Sequence, residues 1–137
     1  MAITSTYSNQ QTVKSQLKTR GDLYAVGGQV GYGTGAGSTV TQGSSRTTAV
    51  TCDAQCGQIT LVSASGSTTA ASFTVNNNCV LAATDGVIVW QVSGTDKYDL
   101  SVTAVAAGSF QITSRTYSGT TSEQPVFGFM VFKGVTA

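Results

Sequence analysis

The sequence has no histidine, one proline, one glutamate and only 9% charged residues, against a usual charged share of about 25%. Each shortage excludes something. Without histidine there is no Ser-His-Asp triad, no Cys-His pair and no His-ligated metal. With so few charges there is neither a coiled coil nor a broad basic face for nucleic acid. No apolar run approaches the roughly 18 residues that span a membrane. The opening residues, Met1-Ala-Ile-Thr-Ser-Thr-Tyr-Ser-Asn-Gln10, lack the basic start and apolar stretch of a signal peptide, so synthesis in a cytoplasm is expected.

What is present is a 137-residue chain, 40% apolar, with 16 glycines and a net charge of +1. That suits one domain with one modest core. The charge is unevenly placed. Residues 1–20 carry Lys14, Lys18 and Arg20 and no acid, a net +3. The rest carries four basic residues against six acids, a net −2. A polar, basic arm over residues 1–21 is therefore expected to precede a folded domain over 22–137. The larger apolar groups of the arm are Ile3, Tyr7, Val13 and Leu17, and an arm of this kind orders against a partner.

From residue 22 onward the dominant signal is a period of two. Short stretches at 22–26, 47–52, 58–63, 71–76, 98–103 and 109–115 alternate apolar with polar residues or are rich in β-branched ones. Those at 87–92 and 125–133 are apolar on both sides. The alternation puts Ile59, Leu61, Phe73, Val75, Tyr98, Leu100, Val102, Phe110 and Ile112 inward. The two apolar stretches read as a central strand holding Trp90 and as a subunit-interface strand holding Phe127, Phe129 and Phe132. Turn residues separate the stretches every 8–14 residues, among them Ser65-Gly66, Asn76-Asn-Asn78, Asp85-Gly86 and Ala107-Gly108. Together they predict an all-β fold: an antiparallel, jelly-roll-like β-sandwich of about eight strands. Residues 97–133 read as a three-stranded meander.

The motifs that carry chemistry are weak. The glycine run at 27–37 lacks the helix that a phosphate loop needs after it, because Ser38-Thr-Val-Thr follows. Cys52, Cys56 and Cys79 make a poor zinc set; Cys52 and Cys56 bracket a tight turn, and an odd count in a cytoplasmic protein favours thiols over a disulfide. Trp90 reads as core or subunit-interface packing, with a sugar-stacking platform as its functional rival. Asp96 lies in a turn whose backbone its carboxylate can cap. The few acids, mostly in turns, do not supply the carboxylate pair of a glycosidase or the spacing of a calcium loop. No enzymatic activity, cofactor or metal is expected.

Several short runs stand in a familiar order: Thr39-Val-Thr-Gln, Cys56-Gly-Gln-Ile-Thr-Leu61, Ser72-Phe-Thr-Val75, Val102-Thr-Ala-Val-Ala-Ala-Gly-Ser-Phe-Gln-Ile-Thr113 and Phe129-Met-Val-Phe-Lys-Gly134. Over residues 39–135 the chain resembles a family of small all-β structural proteins of tailed bacteriophages, the capsid decoration or cement proteins. The resemblance implies a trimeric β-sandwich on the virion surface that bridges major capsid subunits, with no catalytic motif. Ile3, Tyr7, Val13, Lys14, Leu17, Lys18 and Arg20 are then the capsid-contact candidates, and Phe127, Phe129 and Phe132 the trimer-interface candidates. The expected partners are the major capsid protein and further copies of this chain, with no nucleic acid and no membrane. The alternatives are a tail-fibre or receptor-binding module for host glycans, and a bacterial adhesin domain. A fibre generally needs a longer attachment region, and an adhesin a signal for export. Edge strands are usually guarded by lysine, proline or bulges; with four lysines and one proline, these edges suit a place inside an assembly.

Overall fold

A computed structural model describes Val26, residues 30–118 and residues 121–134. The chain divides into two units, Met1–Gly31 and Tyr32–Ala137. In the first, Val26, Val30 and Gly31 are described and exposed. The seven capsid-contact candidates, and all but one residue of the stretch expected at 22–26, lie outside the described residues.

The second unit is all β. Among the described residues its strands are β1 (Gly37–Thr41), β2 (Val50–Thr51), β3 (Cys56–Thr60), β4 (Ala64–Ser65), β5 (Ala71–Asn76), β6 (Gly86–Ser93), β7 (Tyr98–Ala106), β8 (Ser109–Thr116), β9 (Ser122–Glu123) and β10 (Val126–Phe132). Eight of them form two four-stranded sheets. The first sheet has the order β1-β3-β10-β6 and the second β2-β5-β8-β7, while β4 and β9 pair by themselves. The sandwich is mostly antiparallel, as expected, but β1 runs parallel to β3 and β2 parallel to β5.

The alternation fills the space between the sheets. Phe127, Phe129, Val131 and Ile59 of the first sheet meet Phe73, Val75, Phe110 and Ile112 of the second, all essentially excluded from solvent. Phe110 meets Phe129 with ring centroids 5.3 Å apart, and Tyr98 meets Phe127 edge-on at 5.2 Å, both within the favoured range for aromatic pairs. The inward residues read from the alternation are therefore inward in the structure.

Three expectations change. Residues 97–133 are not a meander: β7 and β8 form a hairpin in the second sheet, and β10 lies in the first. Meander and crossover have the same strand alternation, so periodicity alone does not separate them. The stretch at 87–92 is not a central strand, because β6 is an edge of the first sheet. Phe127 and Phe129 are not interface residues; they point inward and are fully buried within the chain, leaving Phe132 as the one exposed member of that trio.

Polar ties hold the crossings between sheets. Turn 52–55 carries the chain from β2 to β3. Buried Asn77 fastens it by donating to the carbonyls of Cys52 at 2.7 Å and Ala54 at 2.8 Å, and its own side-chain oxygen accepts from the Cys79 amide. The β7–β8 hairpin closes on Ala107-Gly108, with Gly108 at φ 82°, a conformation open to glycine at little cost. At the other end, Arg46 donates to the carbonyls of Val62, Ala64 and Glu123 and to the Tyr98 hydroxyl. Glu123 accepts from the Thr95 and Asp96 amides, so it is Glu123 that caps the turn expected to be capped by Asp96.

Candidate functional site: the outer face of the first sheet

The strand register places the outward side chains of the first sheet in rows. One row is Thr39, Gln58, Gly128 and Trp90; the next is Gly37, Cys56, Met130 and Ile88. A third runs through Thr41, Thr60 and Val126, where β6 bulges and Val92 has no partner on β10. None of these residues is charged.

The face has two halves. Toward the β6 edge lie Ile88, Val92 and Phe132, 55%, 43% and 45% exposed. Exposed apolar residues scattered singly are ordinary, but these three lie on adjacent strands and form one apolar patch. The β6 backbone adds to this. Its sequence, Gly-Val-Ile-Val-Trp-Gln-Val-Ser, carries no lysine, proline or acid, the devices that usually blunt an edge. The edges of the second sheet differ: β2 is two residues long, and β7 carries an acid, Asp99, while β6 and β7 each have one register shift.

Toward β1 the face sinks into an open groove of about 530 Å³. Trp90 forms its wall. The indole leans from β6 across β10, directly over Gly128: a Cβ at that position would come within 2.4 Å of the ring. Only glycine leaves that space, so Gly128 and Trp90 are one feature. Trp90 is thus neither core nor hidden; 41% of it is exposed. Among the described residues its indole N–H meets no acceptor, and the exposed Gln58 amide has no partner.

Apart from Cys56, which lines the groove, the described titratable groups lie elsewhere. Asp85, in the loop before β6, is buried. It accepts from Lys133 at 2.8 Å, from the Gly134 amide at 3.0 Å and from the Leu81 amide at 2.8 Å. The Lys133 ammonium first, and then these amides, hold its carboxyl well below the usual carboxylate range against the opposing effect of burial. Burial would raise Glu123, but the Thr95 and Asp96 amides outweigh it and the carboxyl is lowered. Burial pushes the Cys52 thiol up, partly offset by a hydrogen bond with Ser38. A raised pKa keeps that thiol protonated and unreactive. All three cysteines are free. Asp99 is paired with Arg115 at 3.0 Å, and Asp96 is buried. Among the described residues no three of His, Cys, Asp and Glu cluster as metal ligands would.

Phe132, a trimer-interface candidate from the sequence, is exposed. Ile88, Val92, Gln58 and the groove were not marked by the sequence. The available signal was Gly128, a glycine inside an otherwise bulky strand, which marks a close approach. No protein-family model, curated protein or solved structure matches the chain.

Proposed function

We propose that this protein is a bacteriophage capsid decoration protein, a trimer that binds the outer shell and fastens neighbouring major capsid subunits. The observation that carries the reading is the uncharged outer face of the first sheet, with Ile88, Val92 and Phe132 exposed beside a β6 edge that has no lysine, proline or acid. A surface of that kind is stable when a partner covers it. Symmetric closure among copies covers it without leaving a free edge. The second sheet keeps a polar outer face that suits solvent.

The arm supplies a second contact. Lys14, Lys18 and Arg20 give it +3, which steers docking onto an acidic shell. Each exposed ion pair is worth well under ~1 kcal/mol, so Ile3, Tyr7, Val13 and Leu17 must add packing. Three arms per trimer act together, because the first to bind raises the effective concentration of the others.

The test is a copy count in purified virions, with the stability of virions lacking the protein. Hundreds of copies per particle, with early rupture of the deficient particle on heating, are expected. A few copies per particle would mean a tail component. Deficient virions as robust as wild type would end the fastening role. Removing residues 1–20 is expected to weaken binding to stripped shells; full-affinity binding would end the arm's part alone. A receptor-binding module for host glycans is the second reading, favoured by the Trp90 groove.

A further inference from the structure

We infer that the groove beside Trp90 binds a neutral saccharide, with an N-acetylhexosamine preferred over a plain hexose. This goes beyond the shell-fastening reading, does not depend on it, and rests on the second, glycan-binding reading of the same groove. The argument starts from the row Thr39–Gln58–Gly128–Trp90, which the register sets side by side across three adjoining strand pairs. Gly128 lets the indole lie down on the sheet, so the ring leans over the groove from a fixed base instead of standing into solvent. A sugar ring has an apolar C–H face for such a platform and hydroxyls around its rim. The rim groups have neutral counterparts here: the Trp90 N–H, the Gln58 amide and the Thr39 hydroxyl, none of which has a hydrogen-bond partner among the described residues.

The same groups argue against other occupants. A flat apolar partner laid on this half of the face would strand an amide, a hydroxyl and an indole N–H without water or partner. An anion would find no cation, since no charged residue lines the groove. The groove's volume of about 530 Å³ falls within the roughly 300–1,000 Å³ usual for small-ligand sites. The row beside the platform holds Met130 and Cys56, both half-buried. They form an apolar shelf next to Gln58, where the methyl of an acetamido group packs while its amide meets the Gln58 side chain. That pairing sets the preference for the N-acetyl sugar.

The chain has a single tryptophan, so its fluorescence reports on this site alone. The full-length protein is titrated with N-acetylglucosamine oligomers, with glucose oligomers of the same length, and with an anionic sugar, sialic acid. A saturable emission change is expected with the N-acetyl series, about tenfold weaker with glucose and absent with sialic acid. Gln58→Leu, an exposed substitution, is expected to weaken the N-acetyl response at least about tenfold with unchanged thermal unfolding. Trp90→Phe, which keeps a ring over Gly128, is expected to retain binding by calorimetry at reduced affinity. Four outcomes overturn the inference: no saturable response to any neutral sugar, equal binding of sialic acid, undiminished binding by Gln58→Leu, or an emission that follows protein concentration and ignores sugar. The last would show the indole covered by a second copy.

Discussion

On the second sheet, the outward side chains of β5, β7 and β8 include Ser72, Thr103, Gln111 and Thr113. They satisfy one another: Ser72 and Thr113 hydroxyls lie 2.7 Å apart, Thr103 and Thr113 also 2.7 Å, and Thr103 donates to the Gln111 carbonyl at 2.9 Å. Asp99 and Arg115 close the row with an ion pair. On the first sheet the corresponding positions hold Ile88, Trp90, Val92 and Met130, and the polar ones there, Gln58 and Thr39, have no such partners among the described residues. Both sheets obey the same inward alternation and share one core. The difference therefore lies outside the requirements of folding. A closed hydroxyl ladder has little left to offer a partner, whereas an open apolar face bearing the Gln58 amide and the Thr39 hydroxyl does.

The comparison is broken most severely from within. Phe110→Ala removes a ring packed between the sheets, and is expected to cost about 3–5 kcal/mol, a large part of a small domain's stability. Both faces would be lost together, and thermal unfolding should show it directly. If the midpoint barely moves, the shared core does not depend on the Phe110–Phe129 contact.

Acid is expected to come next. Because the folded-state pKa of Asp85 is lowered, its contribution is present above the ordinary carboxylate pKa of about 4 and is lost as pH falls below it. Stability should therefore decline below about pH 4, and Asp85→Asn should be less stable at neutral pH and flatter across that range. Equal acid sensitivity in Asp85→Asn would assign the effect to other carboxylates.

Smaller effects separate the two faces. Thr113→Val breaks the centre of the ladder and is expected to cost about 1 kcal/mol, with no change in association. Ile88→Lys combined with Val92→Lys is expected to cost about 0.5 kcal/mol or less per site, yet to abolish self-association in sedimentation. Ser101→Lys, on the opposite face, should leave both stability and association unchanged. Association that survives the paired lysines would move the contact surface off the β6 edge.

The core was legible because period two is a strong signal where each strand has one wet face. Phe73, Val75, Phe110 and Ile112 follow from it directly. The signal fails where both faces are apolar. In β6, an outward face built of Ile88, Trp90 and Val92 has the same composition as a buried one, so an edge strand reads as central. In β10, the apolar run reads as an interface, yet the spacing of two between Phe127 and Phe129, with Gly128 between them, fits the inward pair they form. β1 was missed as a strand because Val40 is its single large apolar residue and its threonines resemble a loop. The sheet order depends on pairings far apart in sequence, such as β3 with β10, which no local pattern records. The groove needs three strands in register before it exists.

β1 has a mechanical consequence. It is an edge strand that gives the core only Val40, and its first rung is Gly37 opposite Cys56. Just before it, the Tyr32 hydroxyl donates to the Val131 carbonyl on β10. A pull applied through the chain preceding Tyr32 loads that bond first, and then the rungs from Gly37 to Thr41 in succession, each alone. Peeling of this kind proceeds at low force, while β3, β10 and the aromatic core behind them stay intact. Under tension applied on the N-terminal side of Tyr32, β1 is therefore expected to detach before the rest of the sandwich, a step that single-molecule pulling would read as a short extension ahead of global unfolding.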